Sequence, residues 1–271
     1  MTKLDGTAFA GAALKGRWRL FHTPARSGAA NMAIDEALMA LARRTGENVL
    51  RVYTWSGPTL SLGRHQSVRG RVDVAVARDL GVSLVRRPTG GRALLHHREV
   101  TYSVTAALAR DDSVRTWYAS INTVLLRALH ALGVKAETAV VSGRTPLPST
   151  ASCFVRPDEG EITVGGRKLV GSALLRQEGA LLQHGSILLD DDQPMLDALL
   201  PADELRPAPA GTLRQALKEV PPVNAVRDAL FAALTGVDGV DTAPFEGDEP
   251  FWSNACELER QYGSEEWTFR H

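Results

Sequence analysis

The pattern of hydrophobic and polar residues along this 271-residue chain switches repeatedly between the periods of helices and strands. Ile34, Leu38 and Leu41 recur at helical spacing, and Asp35 stands in the first turn, which predicts a helix that opens at Asn31. Further helices are predicted over 72–80, 113–132, 194–200, 212–218, 224–234 and 251–262.

Short runs rich in β-branched and aromatic residues lie between these helices and predict strands. The predicted strands span 18–21, 49–55, 59–62, 82–86, 100–106, 162–164, 167–173 and 181–189. Gly165 and Gly166 supply the positive φ angles of a two-residue hairpin turn. Together these elements predict an α+β fold with a mixed, largely antiparallel sheet flanked by helices. No Gly-x-Gly-x-x-Gly motif joins a strand to a helix, so a Rossmann fold is disfavoured.

With 44% hydrophobic residues the chain can bury a substantial core, and we interpret 1–271 as a single domain. Residues 1–16 are expected to form a loose arm, because their apolar stretch is too short and wrongly flanked for a signal peptide. Residues 194–271 are expected to form a helical C-terminal part packed on the core. No apolar run approaches the roughly 20 residues that span a bilayer.

Net charge and cysteine content limit which classes of function the protein can have. The chain has 31 basic and 31 acidic residues, so no bulk field favours nucleic acid or an anionic membrane. Its two cysteines, Cys153 and Cys256, have no metal-ligand spacing, and we expect a reduced, cytoplasmic protein. Cys256 lies in an amphipathic helix, where a buried structural role is the better interpretation.

Cys153 lies in a turn-forming segment, 144–157, that is rich in proline, serine and arginine. A free cysteine is more often a small buried hydrophobic residue than a nucleophile. Here, however, a cationic neighbour such as Arg156 or Lys168 would lower the pKa of the thiol from about 8.5 toward neutrality. Contact with either cation would therefore give a useful fraction of thiolate.

The loop from Arg86 to Arg92 is a candidate anion site. Gly90 and Gly91 allow the backbone to approach a ligand closely, and arginines such as Arg87 can grip phosphate or carboxylate oxygens. The alternative is a tight turn between strands with solvated arginines. The two interpretations have about equal support from the sequence.

Lys168 begins a second candidate site on the outgoing strand of the hairpin. A lysine on a sheet either extends to water or points into a polar cleft. Gly171 and Ser172 nearby are small and leave room for a ligand. The histidines, among them His96 and His184, lack the spacing of a metal site. A pair between the thiol and a histidine stays open, because the sequence gives no distance.

A series of motifs covers nearly the whole chain in a fixed order. They are 31–38, 51–63, 86–92, 101–103, 166–173, 183–189 and 262–267. In residue content and order they resemble the superfamily of biotin and lipoate ligases and lipoyl transferases. The resemblance implies the fold core that these enzymes share with class II aminoacyl-tRNA synthetases.

The position of Cys153 ahead of Lys168 is similar to one branch of this superfamily, the octanoyltransferases with the cysteine in the loop before the lysine strand. Other octanoyltransferases carry the cysteine after the lysine. ATP-dependent lipoate ligases usually have three glycines and no arginine where this chain has Gly90, Gly91 and Arg92.

The resemblance implies transfer of an octanoyl group from the phosphopantetheine thioester of acyl carrier protein to a lysine of a lipoyl-accepting protein. The acceptor would be the glycine-cleavage H protein or a lipoyl domain of a 2-oxoacid dehydrogenase, the enzyme would need no cofactor, and a monomer is expected. Cys153 would carry the acyl group, and Lys168 would orient its carbonyl. The implied substrate-binding residues are Arg87, Gly90, Gly91, Arg92, His96, Gly171, Ser172, His184 and Gly185.

Three alternatives stay open at this point. One is an amidotransferase that moves octanoyl groups between lipoyl-domain proteins, and another is an ATP-dependent lipoate ligase in which Lys168 binds an acyl-adenylate. The third is a binding module without turnover. Arg64 and His65 depart from the aromatic pair common in related transferases, which leaves the acyl chain length open.

Overall fold

The structure is a computed structural model that describes residues 12–68, 70–139, 160–201 and 208–271. Cys153 and Arg156 lie outside these ranges, as does most of the expected N-terminal arm.

Eleven strands form two sheets in the described part of the chain. They are β1 (Gly16–His22), β2 (Asn48–Tyr53), β3 (Thr59–Leu62), β4 (Ser83–Arg86), β5 (Leu94–His96), β6 (Glu99–Ala107), β7 (Ala136–Thr138), β8 (Ile162–Val164), β9 (Arg167–Gln177), β10 (Ala180–Leu188) and β11 (Val240–Pro244). The large sheet has the order β11-β1-β2-β6-β10-β9-β8-β7 and the small sheet β4-β3-β5. In the large sheet β1 is parallel to both neighbours and all other pairings are antiparallel. The prediction of a mixed, largely antiparallel sheet is confirmed.

Helices cover both faces of the large sheet. The helices in the described part of the chain are α1 (Gly28–Thr45), α2 (Val74–Asp79), α3 (Val114–Ala131), α4 (Leu196–Leu199), α5 (Leu213–Leu217), α6 (Val223–Thr235), α7 (Glu249–Tyr262) and α8 (Glu265–Thr268). On one face, here called the α1 face, Leu38 of α1 packs with Phe251 of α7. On the opposite α3 face, Leu125 of α3 packs with Leu230 of α6. The predicted α+β arrangement of a sheet flanked by helices is therefore confirmed.

Several elements differ from the sequence-based prediction: strands β5, β7 and β11 were not predicted, and β9 continues to Gln177. Helix α1 begins at Gly28 rather than Asn31, because the Ser27 side chain caps it by accepting from the Ala30 N–H at 3.1 Å. The C-terminal part also contains a strand, since β11 extends the sheet by pairing in parallel with β1. The proline at the end of β11 is tolerated because this strand is at the edge.

The hairpin between β8 and β9 follows the prediction. Gly165 and Gly166 have φ angles of 55° and 73°, as a type I′ turn requires. This turn sets the register that places Thr163 opposite Lys168 at the start of β9. Among the described residues, no helix combines the length and the apolar character needed to cross a membrane.

Candidate active site

A cavity lies between the α1 face of the large sheet and the small sheet. The space between the two sheets, counted together with its opening to solvent, amounts to about 380 Å³. It is lined by Met32, Tyr53, Trp55, Ser61, Arg87, Leu94, His96, Thr101, Gly171, Ser172, Ala173, His184, Gly185 and Ser186. Mixed aromatic, aliphatic and polar walls of this kind suit a ligand with an apolar body and a polar end.

Asp35 of α1 is the centre of a buried polar cluster behind the cavity. Its carboxylate accepts from the Arg51 guanidinium at 2.7 Å, the Ser103 hydroxyl at 2.7 Å and the Tyr53 phenol at 3.0 Å. Burial by itself would raise the pKa of Asp35, but the Arg51 charge and the bonds from His184 and Ser103 outweigh it and lower this pKa. The cluster therefore holds a stable buried carboxylate.

His184 of β10 connects this cluster to the loop that follows β4. Its Nδ1 lies 3.1 Å from the Asp35 carboxylate, and its Nε2 lies 2.7 Å from the Thr89 hydroxyl. Burial lowers the pKa of His184, which favours the neutral ring. Because the carboxylate can only accept, Nδ1 carries the hydrogen and Nε2 accepts from Thr89. The tautomer is thus fixed, and with it the position of the loop.

A second histidine, His96, lines the cavity and has its own carboxylate partner. Its Nδ1 lies 2.8 Å from Glu99, its Nε2 lies 2.7 Å from the Ser61 hydroxyl, and its ring stacks on Trp55 with 3.9 Å between centroids. Arg87 donates to the same Ser61 hydroxyl at 2.8 Å. Arg87, Ser61 and His96 thus form a continuous hydrogen-bonded chain that ends at the buried carboxylate of Glu99.

The arginines of the candidate anion loop bind the protein's own backbone. Arg87 donates to the carbonyl oxygens of Ser61 at 3.0 Å, Gly90 at 3.0 Å and Arg92 at 2.6 Å. Arg86 is fully buried and donates to the Thr268 carbonyl at 2.8 Å, next to the end of the chain. In this arrangement Arg87 shapes the turn that borders the cavity, and Gly90, Gly91 and Arg92 form the turn itself.

Lys168 is buried, with 3% of its side chain exposed, and its Nζ lies 2.6 Å from Glu161 Oε1. It does not extend to water. Glu161 is also buried and stands just before β8, a few residues after the 144–157 segment that contains Cys153. A carboxylate at this distance favours the ammonium form of the lysine. Sequence reasoning missed Glu161, although an acidic residue one hairpin away from a candidate lysine is a usable signal.

Gly185 and Ser172 are direct partners where β10 and β9 border the cavity. A Cβ at position 185 would lie 2.6 Å from the Gly171 carbonyl oxygen and 2.8 Å from both the Ser172 hydroxyl and the Tyr102 ring. Only glycine therefore fits at this position of β10.

The structure brings most of the predicted site residues together. Those that line the cavity are Arg87, His96, Gly171, Ser172, His184 and Gly185. Sequence reasoning missed four residues of the site, which are Asp35, Trp55, Ser61 and Glu99. The signal that could have found them is a polar residue at an inward position of a strand or helix. Cys153 lies outside the described residues.

Cys256 is exposed on α7, so its interpretation as a buried structural thiol is wrong. The physical reason is its angular position. Phe251 and Ala255 face α1, and Cys256 is one residue further along, about 100° around the helix.

Comparison with known proteins identifies the class. Residues 27–235 match the model of the lipoyl protein ligase A/B catalytic domain, and the chain belongs to this family. A bi-partite lipoate protein ligase from Thermoplasma acidophilum shares the fold, with a TM-score of 0.76 and 23% identity over 94% of this chain and 96% of that chain. A lipoate-protein ligase A bound with ATP matches with a TM-score of 0.77 and 25% identity, covering 94% of this chain and 98% of that chain.

Within the family, the sequence is similar to octanoyltransferases. The octanoyltransferase LipM of Kyrpidia tusciae is 42% identical over 93% of this chain and 98% of its own length. LipM of Symbiobacterium thermophilum is 39% identical over the same shares of the two chains. The predicted superfamily, branch and fold are thereby confirmed.

Proposed function

We propose that this protein moves an octanoyl group from the phosphopantetheine thioester of acyl carrier protein to a lysine of a lipoyl-accepting protein, through an acyl-Cys153 intermediate. It is an octanoyltransferase of lipoate biosynthesis, as its relatives are. Donor, covalent step and acceptor are the proposed parts. The proposed acceptors are the glycine-cleavage H protein and the lipoyl domains of 2-oxoacid dehydrogenases.

The observation that carries the proposal is the buried ion pair of Lys168 and Glu161, at 2.6 Å, on the hairpin that follows the Cys153 segment. A fixed ammonium stabilises both a nearby thiolate and the negative charge that develops on an acyl carbonyl oxygen. A buried ammonium of this kind is what the proposed acyl transfer requires, and this supports the proposal.

The reaction balances without ATP, metal or another cofactor. The Cys153 thiolate attacks the thioester carbonyl carbon, a new C–S bond forms, and the phosphopantetheine thiolate leaves and takes up a proton. The acceptor lysine, as a neutral amine, then attacks the acyl-cysteine. A C–N bond forms, the C–S bond breaks, and the proton lost by nitrogen returns to a thiolate. Both steps use the same carbonyl and can use the same cation.

The cavity is proposed to hold the acyl chain. Apolar wall residues such as Met32, Trp55 and Leu94 suit an eight-carbon tail, since each buried methylene contributes about 0.8 kcal/mol. Arg87, Gly90, Gly91 and Arg92 are assigned to the wall of the donor pocket through the turn that they form. His96 and His184 are assigned to its polar side.

Intact-mass measurement after incubation with octanoyl-carrier protein tests the proposal. We expect one octanoyl adduct on the wild-type protein, none on Cys153→Ser, and a normal adduct on the matched control Cys256→Ser. Lys168→Met should slow adduct formation by about 100-fold, because a charged donor to the oxyanion is lost. An adduct that persists in Cys153→Ser and is lost in Cys256→Ser contradicts the assignment.

A donor panel separates the alternatives. Octanoyl transfer from an octanoylated H protein, faster than from carrier protein, would identify an amidotransferase. Full activity of Cys153→Ala with lipoate and ATP would identify a ligase. Adduct formation only from octanoyl-carrier protein, followed by transfer to the acceptor, supports the proposed reaction.

A further inference from the structure

A chain of four polar side chains crosses the α3 face of the sheet next to the site. Asn122 donates to the Gly160 carbonyl at 2.8 Å, and Gln183 donates to the Asn122 side-chain oxygen at 3.3 Å. Gln183 also donates to the Tyr102 hydroxyl at 2.9 Å, and the oxygens of Tyr102 and Ser172 lie 2.7 Å apart. Asn122, Gln183 and Tyr102 are buried, whereas Ser172 borders the cavity.

The direction of each hydrogen bond in this chain follows from its end at Gly160. A backbone carbonyl can only accept, so Asn122 must turn its NH₂ group toward Gly160 and its oxygen toward Gln183. The Gln183 NH₂ group must therefore face Asn122, and its second hydrogen goes to the Tyr102 oxygen. Turning both amides around would set the oxygen of Asn122 against the Gly160 carbonyl.

The hydrogen bond between Tyr102 and Ser172 is the last in this chain, and its direction follows from the same kind of argument. Burial raises the pKa of Tyr102, so the phenol keeps its hydrogen. Gln183 donates to Tyr102, so the Ser172 oxygen, at 2.7 Å, is the acceptor that the described contacts provide for this buried hydrogen. The Ser172 oxygen thus accepts, and its hydroxyl hydrogen is left to point elsewhere. Tyr102 is the partner of this hydroxyl within the described residues.

The surroundings of Ser172 indicate where this hydrogen points. Ser172 lies opposite Gly185 and directly after Gly171, and all three residues line the cavity. Glycine leaves the space in front of the hydroxyl open, since a side chain at 185 would approach the Ser172 oxygen to 2.8 Å. A hydrogen-bond acceptor of a ligand in the cavity can therefore reach the hydroxyl.

We propose that Ser172 donates its hydroxyl hydrogen to the carbonyl oxygen of the bound acyl group, and that Asn122, Gln183 and Tyr102 are positioning residues that fix this direction. The inference rests on the proposed function, because it takes the ligand to be an acyl group. The Ser172 hydroxyl is a neutral hydrogen-bond donor to the acyl carbonyl, in addition to the Lys168 ammonium. The two donors, Ser172 and Lys168, are connected to neighbouring residues. Gly160, whose carbonyl orients the hydrogen-bonded chain of side chains, directly precedes Glu161, the partner of Lys168.

The test is the infrared carbonyl band of the acyl-enzyme, prepared with octanoyl-carrier protein labelled with ¹³C at the acyl carbonyl. A donated hydrogen bond lowers the frequency of this band. We expect Ser172→Ala to move it to higher frequency and to lower kcat/KM about tenfold, the loss of one neutral hydrogen bond. Ser172→Thr keeps the hydroxyl and should restore the wild-type band.

Tyr102→Phe tests the positioning residues, because it removes the hydrogen that orients Ser172 but keeps the ring. The band should broaden or split as the hydroxyl adopts two directions, with a smaller loss of rate than in Ser172→Ala. Thr123→Ala is the matched control on α3, since Thr123 is next to Asn122 and, among the described residues, its hydroxyl donates to Ala119 of its own helix. Its band and rate should not change.

Identical bands in the wild-type protein and in Ser172→Ala overturn the inference, whatever the rates. If no acyl-enzyme forms on the wild-type protein, the proposed covalent route is wrong instead. The same comparison is then made with bound octanoic acid labelled at the carboxyl carbon, which needs no acyl transfer. A band that does not depend on Ser172 there also overturns the inference.

Discussion

The two faces of the large sheet are buried to a similar extent but are built from different residues. The α3 face has an apolar core that includes Leu50, Val52 and Val104. On the α1 face, the same strands bury Arg51 and Ser103 against Asp35, with His184 completing the cluster. Neighbouring positions on one strand thus serve different purposes.

The difference between the two faces shows how a protein of this family can bind a ligand and still have a stable fold. The apolar face supplies the non-directional burial that stabilises the sheet. The polar face instead fixes directions, since the side chains around Asp35 have defined hydrogen-bond partners. Tyr53 and His184 line the cavity from the polar face, and Ser172, which belongs to the hydrogen-bonded chain on the α3 face, also borders it.

Asp35→Asn is expected to have the largest effect. It leaves the buried Arg51 guanidinium without its carboxylate, and removal of one partner of a buried pair costs about 3–5 kcal/mol. Chemical denaturation should show this loss in the free energy of unfolding. Octanoyl transfer per folded molecule should also fall, since His184 loses the acceptor that fixes its tautomer.

A loss below about 1 kcal/mol would contradict this prediction. It would mean that the cluster contributes little beyond its apolar surroundings. The two faces would then not differ in the way proposed.

Leu125→Ala tests the apolar face. Leu125 is 1% exposed and packs in the core between the sheet, α3 and α6. Truncation should cost about 2–5 kcal/mol through lost burial and a cavity. Activity per folded molecule should stay largely unchanged, because Leu125 is not among the residues that line the site cavity. A matching loss of kcat at full folding would show that the faces are not independent.

The sequence predicted local elements well and distant pairings poorly. Gly165 and Gly166 indicate a hairpin within a few residues, and the structure has it. Strand β11 was missed, because its sequence shows no alternation and its partner β1 is at the other end of the chain. Its pairing depends on tertiary packing that a local pattern does not contain.

The same limit applies to the site. Lys168 was found from its motif, but its partner Glu161 follows from a hairpin register. Arg51 lies between two apolar residues on a strand. A charged residue at a strand position that faces a helix indicates a buried ion pair, which here is the pair with Asp35. Asp35 was assigned only to the helix dipole, since no periodicity shows which side chain it meets across space.

The pH dependence of the free energy of unfolding is a smaller effect that also distinguishes the polar α1 face from the apolar α3 face. Burial lowers the pKa of His184 from the ordinary 6.5, so below this pH the unfolded chain binds a proton that the folded protein does not. The free energy of unfolding should therefore fall as pH decreases from about 6.5, by at most about 1.4 kcal/mol per pH unit for this group. His184→Asn should show a shallower slope in urea titrations between about pH 6.5 and pH 5. An unchanged slope would indicate that His184 is protonated in the folded protein.

Tyr53→Phe should have the smallest effect. It deletes the phenol that donates to Asp35 at 3.0 Å but keeps the ring beneath Arg51, 3.9 Å from the guanidinium carbon. Since Arg51, Ser103 and His184 continue to donate to the carboxylate, the expected loss in the free energy of unfolding is about 1 kcal/mol. The double variant with Asp35→Asn measures the coupling of the phenol to the cluster. If Tyr53→Phe alone costs as much as Asp35→Asn, the donors act as one cooperative unit, and the polar face owes its rigidity to the completeness of the cluster rather than to its ion pair.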